Sequence, residues 1–504
     1  MAMVVQHNMQ AMNSNRVLGG TTAAQAKATE KLSSGFRINR AADDAAGLTI
    51  SEKMRKQIRG LGRASKNAQD GISAVQTAEG ALTEVHSMLH RMEELSTQAA
   101  NGTNSKKDRD AIQSEISQLT TEIDRVSETT MFNETYLLKG DHTKPEKQKY
   151  LSAHDAGLEG TLVDNGDGTA TFTMNKLSVG DQVKIGGKDY TIGGTKEEVQ
   201  KAVSKALHNK DEVYDDTKAA VGDVITVNGV KYTYYDAVTR ADGTKAKKGF
   251  YTLDPAATQE TDGRELGKMF GPGSDVTVNG KTFHILDDQK PKANGIDDNN
   301  TSIISANEAY VLAEKELKVA NSIGDTESHD AVGYIDKADK KLKPHELDKP
   351  ADEPNKFTIN VALTKVPETL SFNLHVGADA DMSNKIGISI DAMNSNFLGI
   401  KGLNVSDDSG MAATYAIDAI GDALSRVSAQ RSSLGAIQNR LEHTISNLDN
   451  ITENTTAAES RIRDTDMAAE MVEYSKNNIL KQAGTSMLAQ ANQSTQSVMT
   501  LLQG

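Results

Sequence analysis

A short motif in the middle of the chain combines residue types that could bind a catalytic metal. His345 and Glu346 begin like the zinc-protease motif His-Glu-x-x-His, in which two histidines one helical turn apart bind the metal. Lys349 stands where the second histidine belongs, and Pro344 and Pro350 leave no room for a helix. We therefore expect no zinc site and no peptidase activity from this segment.

Two acidic motifs could also suggest chemistry. Residues 164–168 (DNGDG) contain the ligand types of a calcium loop, but they lack the alternate-residue spacing and the distal glutamate, so a surface turn is expected. Asp43 and Asp44 are adjacent, whereas catalytic carboxylates must face each other across a substrate, and neighbours on a helix point in different directions. The sequence predicts a protein that is not an enzyme and needs no cofactor or metal.

Charge and composition exclude further classes. The net charge is −14, so the basic residues between Lys53 and Lys66, which no aromatic residues interrupt, indicate a solvated or intersubunit ionic face rather than a nucleic-acid site. Cysteine is absent, which removes disulfides and thiolate chemistry. The sequence contains no run of about 18 apolar residues, so no insertion into a membrane is predicted. The first residues also lack the features of a cleaved signal peptide.

The distribution of proline indicates where the long elements lie. All eight prolines fall between Pro145 and Pro367, so both flanks are free of the residue that breaks helices. Within the N-terminal flank, apolar residues are spaced alternately three and four apart, as in a coiled-coil seam: Val75, Ala78, Leu82, Val85, Leu89, Met92, Ser96 and Ala99. The C-terminal flank repeats this spacing at Leu434, Ile437, Leu441, Thr444, Leu448, Ile451, Thr455, Ala458 and Ile462. We predict that these two seams pack against each other.

The extreme ends carry thinner apolar stripes. Val5, Met9 and Met12 lie near the N-terminus, and a C-terminal set contains Leu480, Ala483, Met487, Ser494, Val498 and Leu501. Ordering each residue costs roughly 1–2 kcal/mol of backbone entropy, which a sparse stripe cannot offset alone. We therefore expect both termini to need neighbouring subunits and to become fully helical on assembly.

The middle of the chain has a different pattern. Residues 183–190, 225–232 and 276–283 each contain alternating β-branched residues, an Asn-Gly or Gly-Gly pair and a following aromatic, which predicts three β-hairpins. Thr195–Glu198 and Ser305–Glu308 fit capping boxes at the starts of two helices. The predicted fold is mainly α, with paired terminal helices forming a coiled-coil bundle and a central, hairpin-rich α+β insert over 141–368 that includes a polar linker at 336–356.

Several stretches of the flanks resemble one family closely. Residues 32–48 (LSSGFRINRAADDAAGL), 432–440 (SSLGAIQNR) and 482–493 (QAGTSMLAQANQ) are similar to the motifs of bacterial flagellins, the subunits of the flagellar filament. This resemblance covers about half of the chain. It implies an inner layer from 1–45 and 460–504, a helical rod layer from 46–140 and 369–459, and a surface-exposed insert from 141–368.

The resemblance also implies partners and a location. It indicates a helical homopolymer for motility, secreted through the flagellar type III export apparatus with an export chaperone and without a cleaved signal, and in contact with filament cap and junction proteins. Subunit contacts are expected at Val5, Met9, Met12, Asp43, Asp44, Leu480, Met487, Val498 and Leu501. The alternatives are a hook–filament junction protein and an exported enzyme carried on flagellin ends.

One binding site is implied by resemblance alone. Flagellins sensed by the animal Toll-like receptor for flagellin carry the contact sequence Leu-Gln-Arg-Val-Arg-Glu-Leu, which aligns with residues 89–95 (LHRMEEL). His90 replaces an amide and Glu93 reverses a positive charge, so receptor potency is not fixed by the alignment. The expected receptor contacts are Leu89, His90, Arg91, Glu94, Leu95 and Glu115.

Overall fold

The chain divides into two compact units in a computed structural model. The structure describes residues 8–208, 220–239, 244–252, 270–289, 293–327, 332–335, 341–347, 353–407 and 409–503. One unit contains Met1–Gln76, Ser371–Ile388 and Ser433–Gly504, and the other contains Thr77–Leu370 and Ser389–Ser432. They are called the terminal unit and the central unit below.

Long helices dominate both flanks. The described helices are α1 (Met9–Ser34), α2 (Ala45–Ala100), α3 (Lys106–Thr129), α4 (Lys196–His208), α5 (Ala306–Asn321), α6 (Ser395–Leu398), α7 (Met411–Arg463) and α8 (Met467–Gln503), with a short 3₁₀ helix at Met382–Asn384. None of these helices contains an apolar stretch long enough to span a bilayer.

In the terminal unit, α1 and α8 form an antiparallel pair. The side chain of Asn8 caps α1 by accepting from Ala11 N, and its amide donates to Ala491 O on α8 at 3.0 Å. At the other end, Gly35 ends α1 at φ +76° and its carbonyl accepts from Thr465 N at 3.0 Å. Gly484 lies close to Leu18, since a Cβ added there would be 3.3 Å from the leucine. Both helices are therefore formed within one chain, which is more order than their thin apolar stripes predicted.

The first half of α2 packs against the second half of α7 in the same unit. Leu61 and Ala64 cluster with Leu448, and Ala68 clusters with Leu441. Residue numbers rise from Leu61 to Ala68 on α2 while those of their partners fall from Leu448 to Leu441 on α7, so the two helices are antiparallel. The seam beginning at Leu434 thus has residues from about 52 to 72 as its partner, and the predicted pairing with the whole Val75–Ala99 seam is wrong. Heptad spacing defines which face is buried but does not define the register between two helices.

The seam of α2 is buried in the central unit. The seam residues from Ala78 to Ala99, which include Ser96, are all 0% exposed. Arg431, on the first half of α7, donates to Glu79 at 2.8 Å. The buried guanidinium of Arg109 on α3 donates to Ala99 O at 2.8 Å and so satisfies a carbonyl at the end of α2.

Short strands make up most of the insert. In chain order they are β1 (Met131–Phe132), β2 (Thr135–Tyr136), β3 (Lys147–Tyr150), β4 (Gly160–Asp164), β5 (Thr169–Met174), β6 (Gln182–Ile185), β7 (Lys188–Gly193), β8 (Val224–Val227), β9 (Val230–Tyr235), β10 (Val238–Thr239), β11 (Lys245–Ala246), β12 (Gly249–Tyr251), β13 (Asp275–Val278), β14 (Lys281–His284), β15 (Ile303–Ser305), β16 (Val332–Ile335), β17 (Leu342–Lys343), β18 (Lys356–Asn360), β19 (Leu363–Val366), β20 (Leu370–His375) and β21 (Lys385–Ile390).

The three predicted hairpins are confirmed. They are β6–β7, β8–β9 and β13–β14, and the turn residues Asn228 and Asn279 have φ of 47° and 51°, as a two-residue turn requires. The second and third hairpins join in one sheet of order β12-β9-β8-β13-β14. Another five-stranded sheet has the order β17-β16-β18-β5-β4, and β15 pairs with β7 in parallel.

The two predicted helix starts are confirmed in the insert. Thr195 and Glu198 exchange hydrogen bonds before α4, at 2.9 and 3.3 Å. Ser305 accepts from Glu308 N before α5, while its own N donates to Gly295 O. The mainly α fold with paired terminal helices and a β-rich centre is thus confirmed, whereas the predicted linker at 336–356 lies partly outside the described residues.

Candidate functional site

The loop between α1 and α2 uses its two carboxylates within the chain. Asp43 accepts from Lys27 at 2.9 Å and from the backbone N–H groups of Asn39 and Arg40 at 3.2 and 3.0 Å. The Lys27 contact, followed by these backbone donors, lowers the pKa of Asp43 to about 2. Asp44 accepts from Gly47 N at 2.8 Å in the first turn of α2. Both residues therefore hold this loop, and their predicted role in subunit contacts stays a prediction.

An aromatic ring joins the same loop to α2 and to the end of α7. The Phe36 ring has the guanidinium carbons of Arg55 and Arg463 each 5.1 Å from its centroid. The two arginines are neutralised by carboxylates, since Arg55 donates to Glu459 at 2.9 Å and Arg463 contacts Glu52. Phe36 is the only aromatic residue before residue 132, but no spacing in the sequence predicted its two cationic partners.

Large apolar side chains are exposed along α1 and α8. Met9 and Met12 are 70% and 62% exposed, and Leu480 and Met487 are 47% and 57% exposed. Five more side chains on these helices are exposed and were not predicted from the sequence: Val17, Met467, Met471, Val472 and Ile479. Val472 and Ile479 are seven residues apart but lie one position before the spacing set by Leu480, so the predicted stripe did not include them.

Three of the predicted assembly residues cannot be placed. Val5 lies outside the described residues, and the side chains of Val498 and Leu501 lie outside them as well. The fully buried residues of the pair are small or polar, namely Ala28, Asn477 and Ala491. The pair thus buries small side chains against itself and leaves large apolar ones in solvent, a distribution typical of a surface that contacts another protein.

The outer side of α2 carries a group of charged residues in the central unit. Arg91 donates to Glu115 on α3 at 3.0 Å and to Glu94 one turn along at 3.2 Å. The three side chains are 49%, 45% and 71% exposed, so all are accessible to a protein partner. His90 is also exposed and contacts Glu93 through Nδ1 at 3.2 Å.

Two of the receptor contacts expected from the resemblance are buried. Leu89 and Leu95 are 0% and 2% exposed, because both belong to the buried side of α2. They can stabilise the helix that presents Arg91, but a partner cannot touch them in this fold. The accessible part of the expected contact is therefore His90, Arg91, Glu94 and Glu115.

The seam residues of α7 are not equally covered. Leu434, Leu441 and Leu448 are buried, and Ile437 is half-buried. Ile451 departs from the predicted burial, since its side chain is 41% exposed. It borders an open groove in the terminal unit together with Leu61 and Val376. Ile451 lies about three turns before the end of α7, and the later seam positions Thr455, Ala458 and Ile462 are half-buried.

The motifs that resembled metal sites have structural roles. His345 is buried, and both its backbone N and its Nδ1 lie within 2.7 Å of Glu314 Oε2 on α5. Residues 164–168 form the turn of the β4–β5 hairpin, where Gly166 and Gly168 have φ of 75° and 85°. Within the described ranges, no group of three or more His, Asp or Glu side chains is arranged to hold a metal ion.

Comparisons with known proteins match both flanks and the whole length. The family profile described as "Bacterial flagellin N-terminal helical region" matches residues 5–143, and "Bacterial flagellin C-terminal helical region" matches residues 417–502. The flagellin of Clostridium tyrobutyricum is 36% identical over 98% of this chain and 100% of its own length. The flagellin of Salmonella typhimurium is 33% identical over 100% of both chains.

A solved structure is also similar in part. It is the structure of FliC from Burkholderia pseudomallei, which is 15% identical, covers 73% of this chain and 99% of its own, and has a TM-score of 0.25. Since that score is low, the assignment depends on the sequence relatives and the two family profiles.

Proposed function

Because this chain belongs to the bacterial flagellin family, whose members are extracellular structural proteins and not enzymes, we propose that it polymerises into the filament through its α1/α8 pair. The single observation that supports this surface is the row of exposed large apolar side chains on the two helices. Burying one such side chain contributes about 1.5–3 kcal/mol, and a filament repeats the contact at every subunit. The predicted contacts Met9, Met12, Leu480 and Met487 belong to this surface.

The test is a pair of charge substitutions on α8. Val472→Asp and Ile479→Asp change side chains that are 68% and 66% exposed, so we expect the folded monomer to keep its melting temperature within the small range typical of surface substitutions. Electron microscopy should nevertheless show few or no filaments, because assembly would bury an unpaired carboxylate. Val163→Asp, at a 58% exposed position in the insert, is the matched control and should polymerise normally. Normal filaments from both α8 variants would refute the assembly surface.

We propose the layered arrangement that the family resemblance implies. Residues 1–45 with 460–504 would form the inner layer, 46–140 with 369–459 the surrounding helical layer, and 141–368 the exposed insert. The export apparatus with its chaperone and the cap and junction proteins are proposed partners on the same basis. Electron cryomicroscopy of filaments would test the layers, and a density in which 141–368 faces the filament axis would contradict them.

A second proposed function is recognition by the animal Toll-like receptor for flagellin. Its support is the accessible cluster of Arg91, Glu94 and Glu115, with Arg91 held in place by both carboxylates. Arg91→Ala should weaken receptor binding, measured by biolayer interferometry on the monomer. Arg125→Ala is a matched control, since Arg125 on α3 is exposed and also pairs with a carboxylate three residues away. Equal affinity of the two variants and the unmodified chain would remove the site.

A further inference from the structure

Two histidines on the outer side of α2 have their rings turned toward each other. His86 and His90 are four residues apart, which places them on the same side of a helix, one turn apart. Their Nε2 atoms are 3.1 Å apart, and the ring centroids are 4.5 Å apart with the planes at 86°. The two Nε2 nitrogens, each able to bind a metal ion, thus lie close together at the surface of the helix.

The surroundings define the protons on these rings. His90 Nδ1 contacts Glu93 Oε2 at 3.2 Å, and a carboxylate there holds the proton on Nδ1 and leaves Nε2 with a free electron pair. With His90 Nε2 as the acceptor, the 3.1 Å contact is a hydrogen bond that His86 Nε2–H donates.

We propose that His86 and His90 form a two-histidine chelate for a borderline divalent metal ion, with Zn²⁺ as the first choice. Two imidazole nitrogens bound to zinc at about 2.0–2.1 Å are roughly 3.3 Å apart at the tetrahedral angle, close to the separation of these two atoms. Imidazole is a preferred ligand for zinc, and pairs of histidines at this helical spacing bind it in known sites. Water completes the remaining positions, because the described residues supply no third ligand.

Binding needs only small changes in the protein. The ion binds beside the line that joins the two Nε2 atoms and replaces the hydrogen bond between them. The proton of neutral His86 moves from Nε2 to Nδ1, a buried atom that has no hydrogen-bond partner among the described residues. Glu93 remains on His90 as the carboxylate that orients a metal-bound imidazole. Arg431 is the nearby cation that would oppose the metal, but Glu79 pairs with it at 2.8 Å and offsets its charge.

The experiment titrates the full-length monomer with Zn²⁺ by isothermal calorimetry and records Co²⁺ absorption spectra of the same samples. The unmodified chain should bind one ion more tightly than the His86→Gln plus His90→Gln double variant, which measures the background from the other histidines. Each single variant should fall to that background. Glu93→Gln should keep the site but bind about tenfold more weakly. His443→Gln, at an exposed position on α7, is the matched control and should bind like the unmodified chain.

The titrations and the Co²⁺ spectra either support the chelate or overturn it. A stoichiometric site that both single variants remove, with a Co²⁺ spectrum that disappears with it, supports the chelate. Identical titrations for the unmodified chain and the double variant would overturn it, and the contact between the two rings would then be a hydrogen bond without a metal. Circular dichroism of each variant checks that α2 is still folded, so loss of binding cannot be confused with loss of structure. Filament assembly is not needed for any arm of the test.

Discussion

At the scale of single residues, Asp43 links the stability of the α1–α2 loop to pH. Its pKa lies below the ordinary value of 3.8, at about 2, through the Lys27 contact first and then the N–H groups of Arg40 and Asn39. A lowered pKa in the folded chain means that the unfolded chain binds the proton first, so the contribution is complete above about pH 4 and is lost as the pH falls toward 2.

We therefore predict that Asp43→Asn removes part of the acid sensitivity of the terminal unit. The difference in melting temperature between the unmodified chain and the variant should be largest at neutral pH and should shrink between pH 4 and pH 2. Thermal unfolding followed by circular dichroism across this range measures it. Asp70→Asn, at an exposed position on α2, is the control for the loss of one surface carboxylate. A constant difference for Asp43→Asn would contradict the assigned pKa.

His284 should stabilise the insert through a buried carboxylate. Its Nε2 lies 3.0 Å from Asp297, which is 1% exposed, and its Nδ1 lies 2.5 Å from Asp275, whose side chain is 57% exposed. His284→Ala should lower the free energy of unfolding by about 1–3 kcal/mol, because the Asp297 carboxylate loses a donor in a buried place. Asp275→Asn should cost less, since water can solvate the exposed side of that contact. Urea unfolding measures both, and equal costs would contradict the assignment.

At the scale of helices, Leu441 and Ile451 test how far the seam of α7 extends. Leu441 is 0% exposed and packs with Ala68, whereas Ile451 is 41% exposed. Leu441→Ala should cost about 2–5 kcal/mol of stability, because it leaves a cavity between α2 and α7. Ile451→Ala has the same chemistry at an open position and should cost much less. Similar losses of melting temperature would mean that both residues belong to one continuous seam.

The same helices show what a sequence can and cannot predict. The buried face of α2 was predicted at every position from Val75 to Ala99, because helical periodicity is local. Its partner was not, because Leu441 can be matched with Ala68 only when the antiparallel register is known. The sheets follow the same rule. Hairpin turns were predictable from Asn-Gly pairs, but the parallel pairing of Ile303–Ser305 with Thr191–Gly193 joins segments more than a hundred residues apart.

The candidate site was predictable to a similar extent. The motifs of residues 32–48 identified the family. Arg91 and Glu115 were both expected as receptor contacts, and the structure pairs them at 3.0 Å, which the sequence did not predict. Burial was not predictable from resemblance, so Leu89 and Leu95 were expected at a surface that they do not reach. The ring contact between His86 and His90 depends on side-chain rotation, which a four-residue spacing permits but does not determine.

At the scale of the whole molecule, the insert is attached in a way that should make it removable. Asp141 N donates to Glu368 O at 2.7 Å, so the chain enters and leaves the insert at adjacent points. β3 and β19 continue this pairing immediately beyond. A chain with adjacent ends can be joined by a short loop at little entropic cost.

We therefore predict that a variant lacking residues 142–367, with a two-glycine connection, still folds and polymerises. Excision removes several contacts with residues outside the insert. Among them, Tyr415 on α7 packs into the insert core and donates to Glu316 at 2.6 Å. Excision uncovers this ring, so the variant also carries Tyr415→Gln.

Circular dichroism should show a higher helical fraction than the full chain, and electron microscopy should show thinner filaments. The same deletion combined with Ile479→Asp should fold equally well and form none, because the contacts proposed for assembly lie on α8 and not in the insert. A deletion variant that folds but cannot polymerise would show instead that the insert contributes to the filament contacts.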